Sequence, residues 1–128
     1  MSVILIIDDD EKFRVMLRQM LERAGYKVVE TSDGNAGLKI VNEIKIDLAI
    51  VDMIMPEKGG IKTIMELRRN LPDMKIIAIS GGGRNRPETY LQPAKLAGAH
   101  CTFAKPLDQE EMLGAVKELI LVVGMINS

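Results

Sequence analysis

The chain has 128 residues, 47% apolar and 27% charged, which excludes a disordered, collagen-like or coiled-coil protein and predicts one globular domain. With 17 Lys plus Arg against 18 Asp plus Glu the net charge is -1, so no excess charge draws the chain to nucleic acid or to an anionic membrane. The single cysteine, Cys101, allows no internal disulfide, no apolar run reaches bilayer length, and the N-terminus has no signal-peptide pattern, which together predict a cytoplasmic protein.

Residues 3–7 are consecutive apolar residues, mostly β-branched, and predict a strand buried on both faces. Phe13, Leu17, Met20, Leu21 and Ala24 then fall on one helical face, and Gly25 closes that helix. Asp10 is expected to cap it. Residues 27–30 are a weaker strand candidate. Asp33 is placed to cap a second helix, with Gly37, Ile40, Val41 and Ile44 facing inward. Residues 48–51 predict another buried strand, and 61–71 a helix stopped by Pro72. Residues 76–79 read as a fourth strand. Pro87 suits a helix start and Pro93 does not suit a helix interior, so a kinked or split helix is expected over 87–97, ended by Gly98. Residues 101–104 predict a fifth strand. The last helix starts at Asp108, with Glu111 completing a capping-box pattern and Met112, Val116, Leu119 and Ile120 facing inward. Strands alternating with helices predict an α/β fold with a mostly parallel sheet.

Open α/β sheets bind ligands beyond the carboxyl ends of their strands. After the first strand come Asp8, Asp9 and Asp10; after the third, Asp52; after the fourth, Ser80 and three glycines; after the fifth, Lys105 and Pro106. Taken singly, each reads as a cap or a solvated turn. Taken together, they place carboxylates, a hydroxyl and an ammonium on one rim. Crowded carboxylates must protonate or bind a cation, and hard oxygen ligands suit Mg²⁺. A divalent ion beside a carboxylate, a lysine and a hydroxyl is a receptor for a phosphoryl group, with the carboxylate as nucleophile.

Ile-Ile-Asp8-Asp9, Asp52-x-x-Met55-Pro56, Ser80-Gly81 and Lys105-Pro106 occur in the order of receiver domains of two-component response regulators, which the chain resembles from Val3 to about Val122. The resemblance implies a flavodoxin-like (βα)5 three-layer sandwich with a five-stranded parallel sheet of order 2-1-3-4-5, the arrangement for which a receiver protein serves as a general example. It implies a receiver over 1–123 and a short tail over 124–128. Asp52 matches the phosphoacceptor, Asp9 a direct Mg²⁺ ligand, and Asp8 a second acidic ligand acting through water. Ile54 matches the position that offers its backbone carbonyl to the metal. Ser80 and Lys105 match the groups that contact the phosphoryl, and the Lys105-Pro106 bond is implied to be cis. A sensor histidine kinase or phosphotransfer protein is the implied donor, with an unidentified output protein; apart from its own phosphorylation and dephosphorylation the domain is no enzyme.

Two departures stand out. Thr102 occupies the switch position where the family commonly carries Tyr or Phe, with Phe103 beside it on the opposite side of the strand. Residues 81–86 make a longer glycine-rich loop than in chemotaxis-type receivers. It reads either as an altered output surface or lid, with Arg84 and Arg86 meeting an acidic partner or the phosphoryl group, or as a longer solvated loop. His100 carries no metal or relay expectation, Cys101 is expected to be a small buried hydrophobe, and the nine methionines core filler. A dinucleotide site lacks Gly-x-Gly-x-x-Gly, and a P-loop lacks its Gly-Lys-Ser/Thr. A pseudo-receiver interaction module is an alternative, although its expected loss of acceptor or lysine is not seen. A Mg²⁺-dependent phosphatase is another, using Asp8-x-Asp10, but it leaves the Asp52 motif unexplained.

Overall fold

A computed structural model of the chain describes residues 2–55, 59–81 and 88–127. Pro56, Arg84, Arg86 and Pro87, with the rest of the 82–87 stretch, lie outside the described residues. The elements in chain order are β1 (Val3–Ile7), α1 (Glu11–Arg23), β2 (Lys27–Thr31), α2 (Gly34–Glu43), β3 (Leu48–Asp52), α3 (Gly60–Asn70), β4 (Lys75–Ser80), α4 (Glu88–Ala97), β5 (Cys101–Ala104) and α5 (Gln109–Asn127). The five strands form one parallel sheet of order β2-β1-β3-β4-β5.

The central strands are buried on both faces, and their side chains alternate between two cores. Leu5, Ile7, Ala49, Val51, Ile76 and Ala78 pack with Val41 of α2, Ile64 and Leu67 of α3, and Ala94 and Ala97 of α4. Ile4, Ile6, Leu48, Ile50, Ile77 and Ile79 pack on the other side with Leu17, Met20 and Leu21 of α1 and Met112 and Val116 of α5. The result is a three-layer sandwich. Each fully buried Ile or Leu contributes about 1.5–3 kcal/mol, so the sheet can hold polar groups at its ends without losing its order.

Caps set the helix boundaries largely where expected. Asp10 accepts from the Phe13 N–H, Asp33 from Ala36 and Asp108 from Glu111. Gly25 and Gly98 take positive φ just beyond α1 and α4. Four expectations need correction. Ile44 does not face inward: α2 ends at Glu43, Ile44 is extended, and it is 45% exposed. The fourth helix is not split, because Pro93 lies within the continuous α4. Cys101 is half-buried, since β5 is an edge strand with one neighbour. Met65 is exposed on α3, although Met20, Met53, Met55, Met74 and Met112 do fill the core. α5 runs as helix from Gln109 to Asn127. Among the described residues no helix is long and apolar enough to cross a membrane.

Candidate functional site

β1 leads into α1 on one face of the sheet, and β3 leads toward α3 on the other. The chain therefore parts at their carboxyl ends and leaves a crevice there. Asp8 is the first residue after β1 and is buried. Its N–H donates to Thr31 O at 3.1 Å, and its Oδ1 accepts the Asp10 N–H at 2.8 Å. Its carbonyl accepts Arg14 Nη1 at 2.7 Å. Arg14 is braced in turn by Glu30 of β2, which also pairs with Arg18. The hydrogen bond from Arg14 holds the Glu30 carboxyl below its ordinary range. Asp8 Oδ2, by contrast, is buried and accepts no hydrogen bond.

Asp52 is the last residue of β3 and is 3% exposed. Its Oδ1 accepts the Ile54 N–H at 3.1 Å. The start of α3 comes close behind it: a Cβ on Gly60 would lie 2.0 Å from Asp52 O, so only glycine fits. Ser80 ends β4, also 3% exposed, beside Ala104 in register. Lys105 follows β5. Its N–H donates to Ser80 O at 2.8 Å, its bond to Pro106 is cis, and Gly81 (φ 110°) lies against its backbone.

The Lys105 ammonium meets the acidic cluster. Nζ is 3.2 Å from Asp8 Oδ2, 3.8 Å from Asp52 Oδ2 and 4.0 Å from Asp10 Oδ2. It also lies 4.2 Å from the centroid of the Phe13 ring. Carboxylate oxygens of Asp8, Asp9 and Asp52 fall within 4.8 Å of one another, with Asp9 exposed toward solvent. Burial, and then the charge of Asp8, push the Asp52 carboxyl up to about 7 against the opposing pull of the Ile54 N–H and Lys105. Asp52 therefore holds a proton through much of the acidic range, which a cation at the cluster would displace. The donor set is all oxygen, and one buried oxygen, Asp8 Oδ2, makes no hydrogen bond and is met only by the ion pair with Lys105 among the described residues. Both features fit a hard divalent ion such as Mg²⁺.

Asp8, Asp9, Asp52 and Lys105 thus come together as the sequence predicts, and Ser80 ends the neighbouring strand. Ile54 meets Asp52 through its N–H. Thr102 lies within β5 opposite Ala78, half-buried, while Phe103 packs into the core shared with α1 and α5. Sequence reasoning assigned Asp10 only to a cap and Phe13 only to the core. Arg14 was not singled out, because nothing in its spacing shows that it reaches the Asp8 carbonyl.

The response regulator receiver domain model matches residues 4–117. The chain is 32% identical over 117 residues to chemotaxis protein CheY of Thermotoga maritima, covering 91% of this chain and 95% of that one. It is 34% identical over 114 residues to the CAI-1 autoinducer sensor kinase/phosphatase CqsS of Vibrio cholerae; the match covers 88% of this chain but spans only 16% of that protein. A crystal structure of a response regulator receiver domain protein from Clostridium thermocellum superposes with a TM-score of 0.89 at 27% identity, covering 98% and 99% of the two chains. Receiver domains are signalling modules of two-component systems, and the match, the sheet order and the acidic cluster agree: the chain belongs to the response regulator receiver domain family.

Proposed function

We propose that the chain is a phosphorylation-dependent signalling receiver in which Asp52 accepts a phosphoryl group from a phosphohistidine. The observation that carries this reading is the buried Asp52 carboxyl set beside the buried Asp8 carboxylate, with the ammonium of Lys105 in reach of both. Asp8, Asp9 and Asp52, with the Ile54 carbonyl, would hold Mg²⁺. When bound, the ion offsets the negative charge of the carboxylates and of the incoming phosphoryl oxygens. An Asp52 carboxylate oxygen attacks phosphorus, and the phosphorus–nitrogen bond of the donor histidine breaks. Its electron pair returns to the imidazole, which takes up a proton from solvent. Lys105 and Ser80 supply contacts that only the phosphorylated form completes, and that differential contact shifts an inactive–active equilibrium. The donor is a sensor histidine kinase or phosphotransfer protein in the cytoplasm, and output passes through protein contacts of residues 1–123.

The test is incubation with acetyl phosphate, with and without Mg²⁺, read by intact mass beside Asp52→Ala. The expected result is a Mg²⁺-dependent gain of one phosphoryl group in the wild type and none in the variant. No gain with acetyl phosphate or with a phosphohistidine donor would replace this reading with a pseudo-receiver interaction module.

A further inference from the structure

Lys105 is held at two points. Its backbone is fixed by the hydrogen bond to Ser80 O, and its ammonium lies over the face of Phe13, 4.2 Å from the ring centroid. Among the described residues its ion-pair partners are three carboxylates: Asp8 at 3.2 Å, Asp52 at 3.8 Å and Asp10 at 4.0 Å. Asp8 and Asp52 are the groups that a cation and a phosphoryl group would engage. The Asp10 side chain is 53% exposed, which screens its pull. Among the described contacts, the Phe13 ring is a close one for which neither ligand competes.

The ring is itself fixed. Phe13 is in the first turn of α1, and its N–H donates to the capping carboxylate of Asp10 at 3.2 Å. The ring is partly buried and packs against the core between the sheet, α1 and α5. Any large apolar residue would fill that core. Only an aromatic one also presents a negative π face to the ammonium.

We propose that Phe13 is a positioning residue for phosphoryl transfer, seating the Lys105 ammonium by a cation–π contact so that it stays aimed at Asp52 while Asp8 and Asp52 engage other ligands. This rests on the reading of Asp52 as the acceptor. The chain has two phenylalanines, Phe13 and Phe103, so the second serves as an internal control.

The experiment compares Mg²⁺-dependent phosphorylation by acetyl phosphate in wild type, Phe13→Leu and Phe13→Tyr. It also includes protein carrying a trifluorinated phenylalanine at position 13 or at position 103. Fluorination keeps the shape of the ring and weakens its negative face. The initial rate is expected to fall about two- to five-fold in Phe13→Leu and with the fluorinated ring at 13. It is expected to stay near wild type in Phe13→Tyr and with the fluorinated ring at 103. Proton NMR of the unphosphorylated protein gives a second readout: the Lys105 ε-methylene protons should be ring-shifted upfield in wild type and Phe13→Tyr, and unshifted in Phe13→Leu. If Phe13→Leu fails to fold, the fluorinated ring carries the test alone. An unchanged rate with the fluorinated ring at 13, or unshifted methylene protons in wild type, overturns the proposal. A wild type that takes no phosphoryl group overturns the acceptor assignment and this proposal with it, and the wild-type arm identifies that failure separately.

Discussion

At the amino end of the sheet, Asp47 Oδ2 accepts the Val3 N–H at 2.8 Å, and Arg68 donates to the carbonyls of Gly98 and Pro72. His100 Nδ1 there accepts the Ile76 N–H at 3.2 Å. At the carboxyl end, Asp8 Oδ2 is buried with no hydrogen bond, and Asp52 holds a raised pKa beside it. Both ends draw their polar groups from residues at or near the ends of strands and helices. One end spends them on closing the structure. The other crowds carboxylates around the single ammonium of Lys105, which costs stability through their mutual repulsion.

The largest test of this contrast is Gly60→Ala. Its Cβ would fall 2.0 Å from Asp52 O and 2.5 Å from Met53 Cα, both backbone atoms. The start of α3 must move, at a cost of about 3 kcal/mol or more. Chemical denaturation measures that loss, and phosphorylation by acetyl phosphate is expected to fall with it because the end of β3 moves too.

Asp52→Asn should act in the opposite direction. The Asp52 carboxyl, at about 7, lies above its ordinary value of 3.8. The folded chain therefore binds more protons than the unfolded chain between those values. The resulting stability is fully present below the unfolded value and is lost as pH rises through 7. In metal-free protein at pH 8, Asp52→Asn should raise stability by on the order of 2 kcal/mol. Thermal melts in chelator across pH 5 to 8 should show a falling slope in wild type and a flatter one in the variant. Added Mg²⁺ should recover stability at pH 8 in wild type more than in the variant.

Arg68→Ala should cost about 2 kcal/mol, through two charged hydrogen bonds to carbonyls left without their donor. The rate of phosphorylation by acetyl phosphate should stay unchanged, since Arg68 lies at the other end of the sheet. A drop in that rate without a drop in stability would break the contrast between the two ends.

The smallest effect is expected at His100. Burial, and then the positive charges of Arg68 and Lys75, hold its pKa below 6.5. Here the unfolded chain binds the extra proton, so stability is lost as pH falls below 6.5. This slope opposes that of Asp52. In an Asp52→Asn background, acidification should therefore lower the melting temperature, and adding His100→Asn should remove most of that fall.

Much of the fold was legible because buried parallel strands read as unbroken apolar runs, and the helix caps lie in plain sequence at Asp10, Asp33 and Asp108. Most of the acidic cluster was legible for a related reason. Asp8 and Lys105 directly follow strands, and Asp52 and Ser80 end them, so locating the strands locates the rim. What could not be read depends on contacts across the chain or on where a periodicity stops. Ile44 continues the apolar spacing of α2, but the backbone has already turned extended there. Pro93 removes one donor from α4, and the burial of Ala94 and Ala97 keeps the helix whole. The reach of Arg14 to Asp8 O and the seat of Lys105 over Phe13 depend on which helix faces which strand end, and no local pattern encodes that.

The placement of Lys105 directly after β5 also orders events during synthesis. Asp8 and Asp52 emerge from the ribosome with β1 and β3, well before β5 docks beside Ser80. Until β5 docks, Asp8 and Asp52 lack the ammonium that faces them in the folded chain. The acidic crevice gains its ammonium only when β5 joins the sheet beside Ser80, so the charge balance at the rim is itself a product of completed sheet assembly.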